Sequence, residues 1–231
     1  MHRARWTTIE RELRRTGGAL IAGVDEVGRG SLAGPVVACA IVMPPDSRAL
    51  RGVDDSKMLS PLARERLVSQ IVERAVCLGI GAASAREIDR INIYHASTLA
   101  MRRALARLTV SPDHVLIDGR PIRALGVEHH GIVDGDDKCF SIACASIVAK
   151  VTRDKLMSNL ARRHPHYCWD RNCGYATRRH IHALQAHGPC AHHRQSFIVK
   201  ALVAGELVLE IIESPDAHHE VITSSDQRPS M

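Results

Sequence analysis

The chain has 231 residues, 45% of them hydrophobic, which is enough to bury a core as one large domain or one domain with an extension, and its formal charge is +6. Its longest apolar run, 36–43, is far too short to cross a bilayer, and the basic N-terminus leads into an amphipathic pattern, not the apolar core of a signal peptide. Seven scattered cysteines, an odd number, fit the reduced thiols of a cytoplasmic protein better than a disulfide framework, and an aromatic content of 3% argues against a base-stacking single-strand binder.

A short helix is predicted over 7–15, started by Thr7 or Thr8. Strands follow at 20–24 and 35–43, separated by Asp25-Glu26 and a glycine-rich turn, a plausible hairpin. After a loop at 44–57, Ser60 is a natural N-cap and Pro61 suits the first position of a helix with apolar residues at Ala63, Leu67, Val68, Ile71, Val72 and Ala75. A third strand is predicted at 76–82 and a helix over 85–108, with a break at Asn92 and a stop at Pro112. Strand four, 114–117, ends at Asp118-Gly119. A fifth, 126–133, ends at Asp134-Gly135-Asp136-Asp137. Ser141 is expected to cap a helix rich in small residues that can lie close on a sheet. A Pro/Gly/His-rich connection, 164–196, surrounds a short helix at 177–187, and 197–212 is expected to be helical. Residues 213–231 lack periodicity and read as a disordered tail, which leaves 1–212 as the folded domain.

Three acidic sites share one placement, at or just past a strand end: Asp25/Glu26, Asp118 and Asp136. Carboxylates gathered on one sheet edge repel, so they stay ionised together only around divalent cations, and hard oxygen donors select Mg²⁺ or Mn²⁺ over zinc. Such a cage, with positions open to phosphate and water, suits two-metal phosphodiester chemistry. Adjacent strand residues point to opposite faces, so Asp25 and Glu26 share a site only if the strand bends or ends there. Asp134, Asp137 and Asp154 are either further ligands or solvated loop acids. The glycines make neither a dinucleotide fingerprint, since Pro35 and a β-branched run follow, nor a P-loop, since no Lys-Ser or Lys-Thr ends them. The histidines and cysteines from 164 to 182 fit no standard zinc spacing, and D-G-D-D-K is not an EF-hand loop. Residues 151–200 hold nine Lys/Arg against two Asp, a net +7, which suggests a polyanion partner as much as a solvated face.

Six blocks, in order from residue 21 to 197, make the chain resemble the type 2 ribonuclease H (ribonuclease HII) family: I-A-G-V-D-E-V-G-R-G-S-L-A-G-P-V-V, D-D-S-K-M-L-S, V-L-I-D-G, G-D-D-K-C-F-S-I-A-C-A-S-I-V-A-K-V-T-R-D, G-Y-A-T-R-R-H and H-H-R-Q-S-F. The resemblance implies an α/β, ribonuclease H-like fold: a five-stranded mixed sheet flanked by helices, with a helical C-terminal extension. It implies cleavage of the RNA strand of RNA–DNA hybrids and incision 5′ of single ribonucleotides in duplex DNA. By the same resemblance Asp25, Glu26, Asp118 and Asp136 are the metal-binding acids. Gly28, Arg29 and Gly30 read the ribose 2′-OH through their backbone, Tyr175 packs on the neighbouring sugar, and Lys57 lies near backbone phosphate. Cys173 departs from the family's lysine, so a phosphate contact is in doubt there. A monomer is expected, and a sliding-clamp partner is left open. Two other classes stand beside this reading: a catalytically silent nucleic-acid-binding module, and another nuclease of the same fold such as a junction-cleaving enzyme or type 3 ribonuclease H.

Overall fold

The structure, a computed structural model, describes residues 7–45, 50–53 and 59–198. Its centre is a five-stranded mixed sheet. β1 (Ile21–Val27) pairs antiparallel with β2 (Val36–Val42), which pairs antiparallel with β3 (Cys77–Ala83). On its other edge β1 pairs in parallel with β4 (His114–Asp118), and β4 with β5 (His130–Ile132), giving the order β3-β2-β1-β4-β5.

The sequence of β2, V-V-A-C-A-I-V, is apolar throughout because the strand is buried on both faces. On one face Ala22, Val24, Ala38 and Ala40 pack with Ile88, Ala100 and Ala104 of α3 (Ala85–Leu105). On the other, Cys39 and Ile41 pack with Phe140, Cys144 and Ile147 of α5 (Phe140–Arg163) and with Leu67 and Ile71 of α2 (Pro61–Arg74). Gly23 allows α5 to lie directly on β1: a Cβ there would stand 2.1 Å from the carbonyl carbon of Ser141.

The helix starts follow their cap chemistry. Ser60 Oγ accepts from Ala63 N at 3.3 Å ahead of α2. Ser84 and Glu87 form a reciprocal capping box on α3, and the expected break falls at Asn92 (φ 64°, ψ 168°). A third cluster, Leu32, Ala33, Met157, Trp169, Ala176 and Leu184, seats the C-terminal part, α6 (Trp169–Asn172) and α7 (Arg178–His187), against the end of α5. Among the described residues no helix is long and apolar enough to cross a membrane.

The structure departs from the sequence reading in four places. β1 runs to Val27, beyond the predicted end at 24, because Asp25, Glu26 and Val27 stay in register with Cys39, Ala38 and Val37 of β2. β5 shrinks to His130–Ile132, since Arg123–Leu125 forms a 3₁₀ turn closed by a left-handed Gly126. Ser141 does not cap α5. The helix begins at Phe140, and its end is held by Glu10 of α1 (Thr8–Thr16), whose Oε1 accepts from Ser141 N at 2.8 Å and Oε2 from Phe140 N at 3.3 Å. The connection at 164–177 contains α6 and a 3₁₀ turn at Pro165–Tyr167 that the spacing of its residues did not signal. The predicted helix over 197–212 and the tail beyond it lie outside the described residues, apart from 197 and 198.

Candidate active site at the carboxyl edge of the sheet

β1, β4 and β5 are mutually parallel, so their carboxyl ends open on one edge, the usual ligand side of such sheets. Val24 pairs with Ile117, which sets Asp25 level with Asp118, and Asp118 pairs with Ile132 just before Asp134 and Asp136. Asp25, 8% exposed, takes a hydrogen bond from Ser146 of α5, and its Oδ1 also accepts from Glu26 N at 2.7 Å. Glu26, next along a continuous strand, leaves from the opposite face; its Oε1 accepts from Arg29 Nη1 at 2.8 Å. Asp118 Oδ1 accepts from Gly135 N at 2.7 Å. That bond ties β4 to α4 (Gly135–Lys138), whose first turn carries Asp136 and Asp137. Asp134 precedes α4 in a left-handed conformation (φ 53°), with Lys138 Nζ 3.7 Å from its carboxylate.

Strand continuity does not separate the acids electrostatically. Burial pushes the Asp25 carboxyl well above the usual carboxylate range, and the charges of Glu26 and Asp118 push it further. Glu26 is raised by burial and by Asp118, against the pull of Arg29. Asp118 is raised by burial and by Asp136, against the Gly135 amide. Among the described residues no three His, Cys, Asp or Glu side chains stand as a ready ligand group. One oxygen of each of Asp25, Glu26 and Asp118 accepts from a local N–H donor instead. An all-oxygen set whose members raise one another's proton affinity still fits a hard divalent cation, which relieves that repulsion.

Beside the acids, residues 28–35 form a loop stitched to two distant segments. Leu32 N donates to Gly174 O at 2.8 Å, Gly34 N to His192 O at 2.8 Å, and Arg194 N to Leu32 O at 2.8 Å. Gly28 has φ +87°, and a Cβ there would meet Arg153 Nε at 2.0 Å. Tyr175 lies under the Arg153 guanidinium, 5.8 Å from ring centroid to Cζ. Cys173 is left-handed (φ 47°) and half-buried, and desolvation together with the charge of Asp154 pushes its thiol up to about 11. Arg29 thus reaches Glu26, and Gly28 and Tyr175 meet through Arg153, whereas Lys57 lies outside the described residues.

Arg153 and Arg194 were both counted in the positive excess over 151–200, and Arg194, with His180 and His193, was open to a packing or hydrogen-bonding role. Both arginines are fully buried and donate to loop carbonyls, and only Arg153 escaped the sequence reading. The histidines of this region also have internal partners. Trp169 Nε1 donates to His180 Nε2 at 3.0 Å, the same nitrogen meets His193 Nε2 at 3.0 Å, and Cys190 N donates to His193 Nδ1 at 3.0 Å. With His180 Nδ1 on Tyr175 O at 2.8 Å, the pattern closes only if both rings are neutral. Burial and the neighbouring His180 accordingly hold His193 down to about 4.

A mixed sheet in this order, with helices on both faces and acids at the carboxyl edge of its parallel strands, is a ribonuclease H-like fold. The ribonuclease H2 of Pyrococcus horikoshii superposes with a TM-score of 0.67 at 26% identity, covering 77% of this chain and 93% of that one. A Bst ribonuclease HIII in complex with Mn²⁺ shares the fold with a TM-score of 0.60 at 22% identity, over 84% of this chain and 72% of that one. In sequence, the family model for ribonuclease HII matches residues 22–200. A ribonuclease HII from Granulibacter bethesdensis is 50% identical over 207 residues, 87% of this chain and 94% of that protein. Another, from Thermosynechococcus vestitus, is 50% identical over 188 residues, 80% of this chain and 86% of that protein. The chain belongs to the ribonuclease HII family and is an endoribonuclease with divalent-metal-dependent ribonuclease H activity.

Proposed function

We propose that this endoribonuclease cuts the RNA strand of RNA–DNA hybrids and incises 5′ of single ribonucleotides embedded in duplex DNA, with Asp25, Glu26, Asp118 and Asp136 holding two Mg²⁺ or Mn²⁺ ions. What supports the reading is that Asp25 and Glu26 near the end of β1 and Asp118 at the end of β4 lie on neighbouring parallel strands, with Asp136 in the first turn of α4 just after β5, and that Arg29 of the adjoining glycine loop bonds to Glu26. Bound there, the cations supply an activated water and offset charge on the leaving 3′-oxygen. The chain's own groups do the selecting. Backbone amides at Arg29 and Gly30 meet the ribose 2′-OH, the group that distinguishes RNA from DNA, and Tyr175 packs on the adjoining sugar. Arg29, bonded to Glu26, couples this sensor to the acid edge. Exposed Lys155, Arg162, Arg163, Arg171, Arg178 and Arg179 grip phosphates without reading bases, and Lys57 serves the same end. On this reading residues 1–212 form the catalytic domain of a cytoplasmic monomer.

The test compares Mg²⁺- or Mn²⁺-dependent cutting of three matched duplexes: all-DNA, one-ribonucleotide and full hybrid. Cutting of both ribose-containing duplexes with the all-DNA control intact is expected. A protein that spares the one-ribonucleotide duplex, or cuts DNA equally well, would refute the proposal.

A further inference from the structure

We infer that Arg194, seconded by Arg153, is a positioning residue for ribose recognition: its guanidinium draws the carbonyls of the 28–35 loop inward and so aims the Arg29 and Gly30 amides at the substrate. The inference rests on the proposed role of those amides.

Both arginines are 0% exposed, and among the described residues neither forms an ion pair with a carboxylate. Burying an unpaired guanidinium is costly, so these donors must be spent on something that matters to the fold or the site. Arg194 Nε donates to Gly34 O at 3.0 Å, Nη1 to Arg29 O at 2.8 Å, and Nη2 to Gly28 O at 2.6 Å and Gly34 O at 2.9 Å. Arg153 Nε donates to Pro35 O at 2.9 Å, Nη2 to Ala33 O at 3.1 Å and Nη1 to Cys173 O at 2.8 Å. Between them they hold carbonyls from both halves of the sensor, the 28–35 loop and the turn that presents Tyr175.

The direction follows from peptide geometry. In a trans peptide the C=O of one residue and the N–H of the next point to opposite sides, and the chain has no cis peptides. Pulling Gly28 O and Arg29 O onto Arg194 therefore turns the Arg29 and Gly30 N–H groups away from it. Among the described residues neither of these two amides donates to a backbone carbonyl. Arg29 and Gly30 are exposed, and a Cβ built on Gly30 meets no heavy atom within 4 Å. A planar fork with five donors can hold several carbonyls at once, which a single ammonium centre cannot.

The test is Arg194→Lys, which keeps the charge and loses the fork. In an Asp118→Asn background, so that no strand is cut, affinities for a one-ribonucleotide duplex and its all-DNA match are measured by fluorescence anisotropy in Mg²⁺. The expected result is a fall of about tenfold in the preference for the ribonucleotide duplex, with all-DNA affinity and Tm held. In the otherwise wild-type enzyme the same substitution should lower kcat/KM on the one-ribonucleotide duplex by a similar factor. A folded Arg194→Lys protein with undiminished preference overturns the inference alone. A parent protein that shows no preference overturns the ribose-sensing reading on which it stands. Should Arg194→Lys fail to fold, the decision passes to ¹⁵N relaxation of the parent protein: order parameters near about 0.85 at Arg29 and Gly30 support a clamp, and values below about 0.6 overturn it.

Discussion

Asp25 sits where a carboxylate is least comfortable, buried against α5 with two other acids in electrostatic reach. If its charge and that of Asp118 serve to hold cations, Asp118→Asn and Asp25→Asn should each lower kcat by more than about 100-fold, roughly 2.7 kcal/mol of transition-state stabilisation. Duplex affinity should change little if, as proposed, the exposed basic residues of 151–200 hold the phosphates; single-turnover cleavage and anisotropy together check this. Gly28→Ala acts by another route. Its methyl would collide with the Arg153 guanidinium at a positive-φ position, so a loss of about 1–3 kcal/mol in urea unfolding is expected. The acids were legible in the sequence because each follows a short apolar run. Arg153 was not, since a charge count treats every arginine alike. One signal was there: Ala149, Arg153 and Met157, four apart on a helix, are all buried, so Arg153 belongs to the inward stripe.

Elements depend on partners that spacing alone does not reveal. β1 was expected to stop before its carboxylates, which are poor strand formers, but pairing with β2 carries it through them. The helix start at 140 was assigned to a nearby serine because local cap rules search only neighbouring residues, while the real acceptor, Glu10, comes from another helix. Glu10→Gln weakens the attraction between a carboxylate and the helix end, and should cost about 0.5–2 kcal/mol in the same unfolding experiment. The segment around α6 and α7 has its own signature. His193 is held neutral in the fold at about 4 and is free to take a proton at 6.5 when unfolded. Its contribution is therefore complete above pH 6.5 and lost as pH falls toward 4. Unfolding free energy should drop by about 2 kcal/mol from pH 7.5 to pH 5. His193→Gln should flatten that slope.

For the whole molecule, the layered α/β plan was readable because short apolar runs, several ending in glycines or acids, mark the strands, and helical spacing of apolar residues marks the helices between them. The positive excess over 151–200 was readable too, but not its disposition, since Arg153 and Arg194 turn inward and leave Lys155 and the remaining arginines as the exposed charge. Arg178 and Arg179 open α7 and are exposed. Replacing both by glutamine should weaken binding to ribonucleotide-containing and all-DNA duplexes alike. If each neutralises one phosphate, the slope of log affinity against log salt becomes shallower by about 1.8. A loss confined to one substrate would instead assign these arginines to recognition.

Arg194 grips Gly34 across 160 positions of sequence. A polypeptide leaving the ribosome presents residues 28–35 long before the guanidinium that holds them, so a nascent chain carries its acids while the neighbouring loop still lacks its clamp. On the function proposed above, the last part of the site to be completed is therefore the one that selects the substrate.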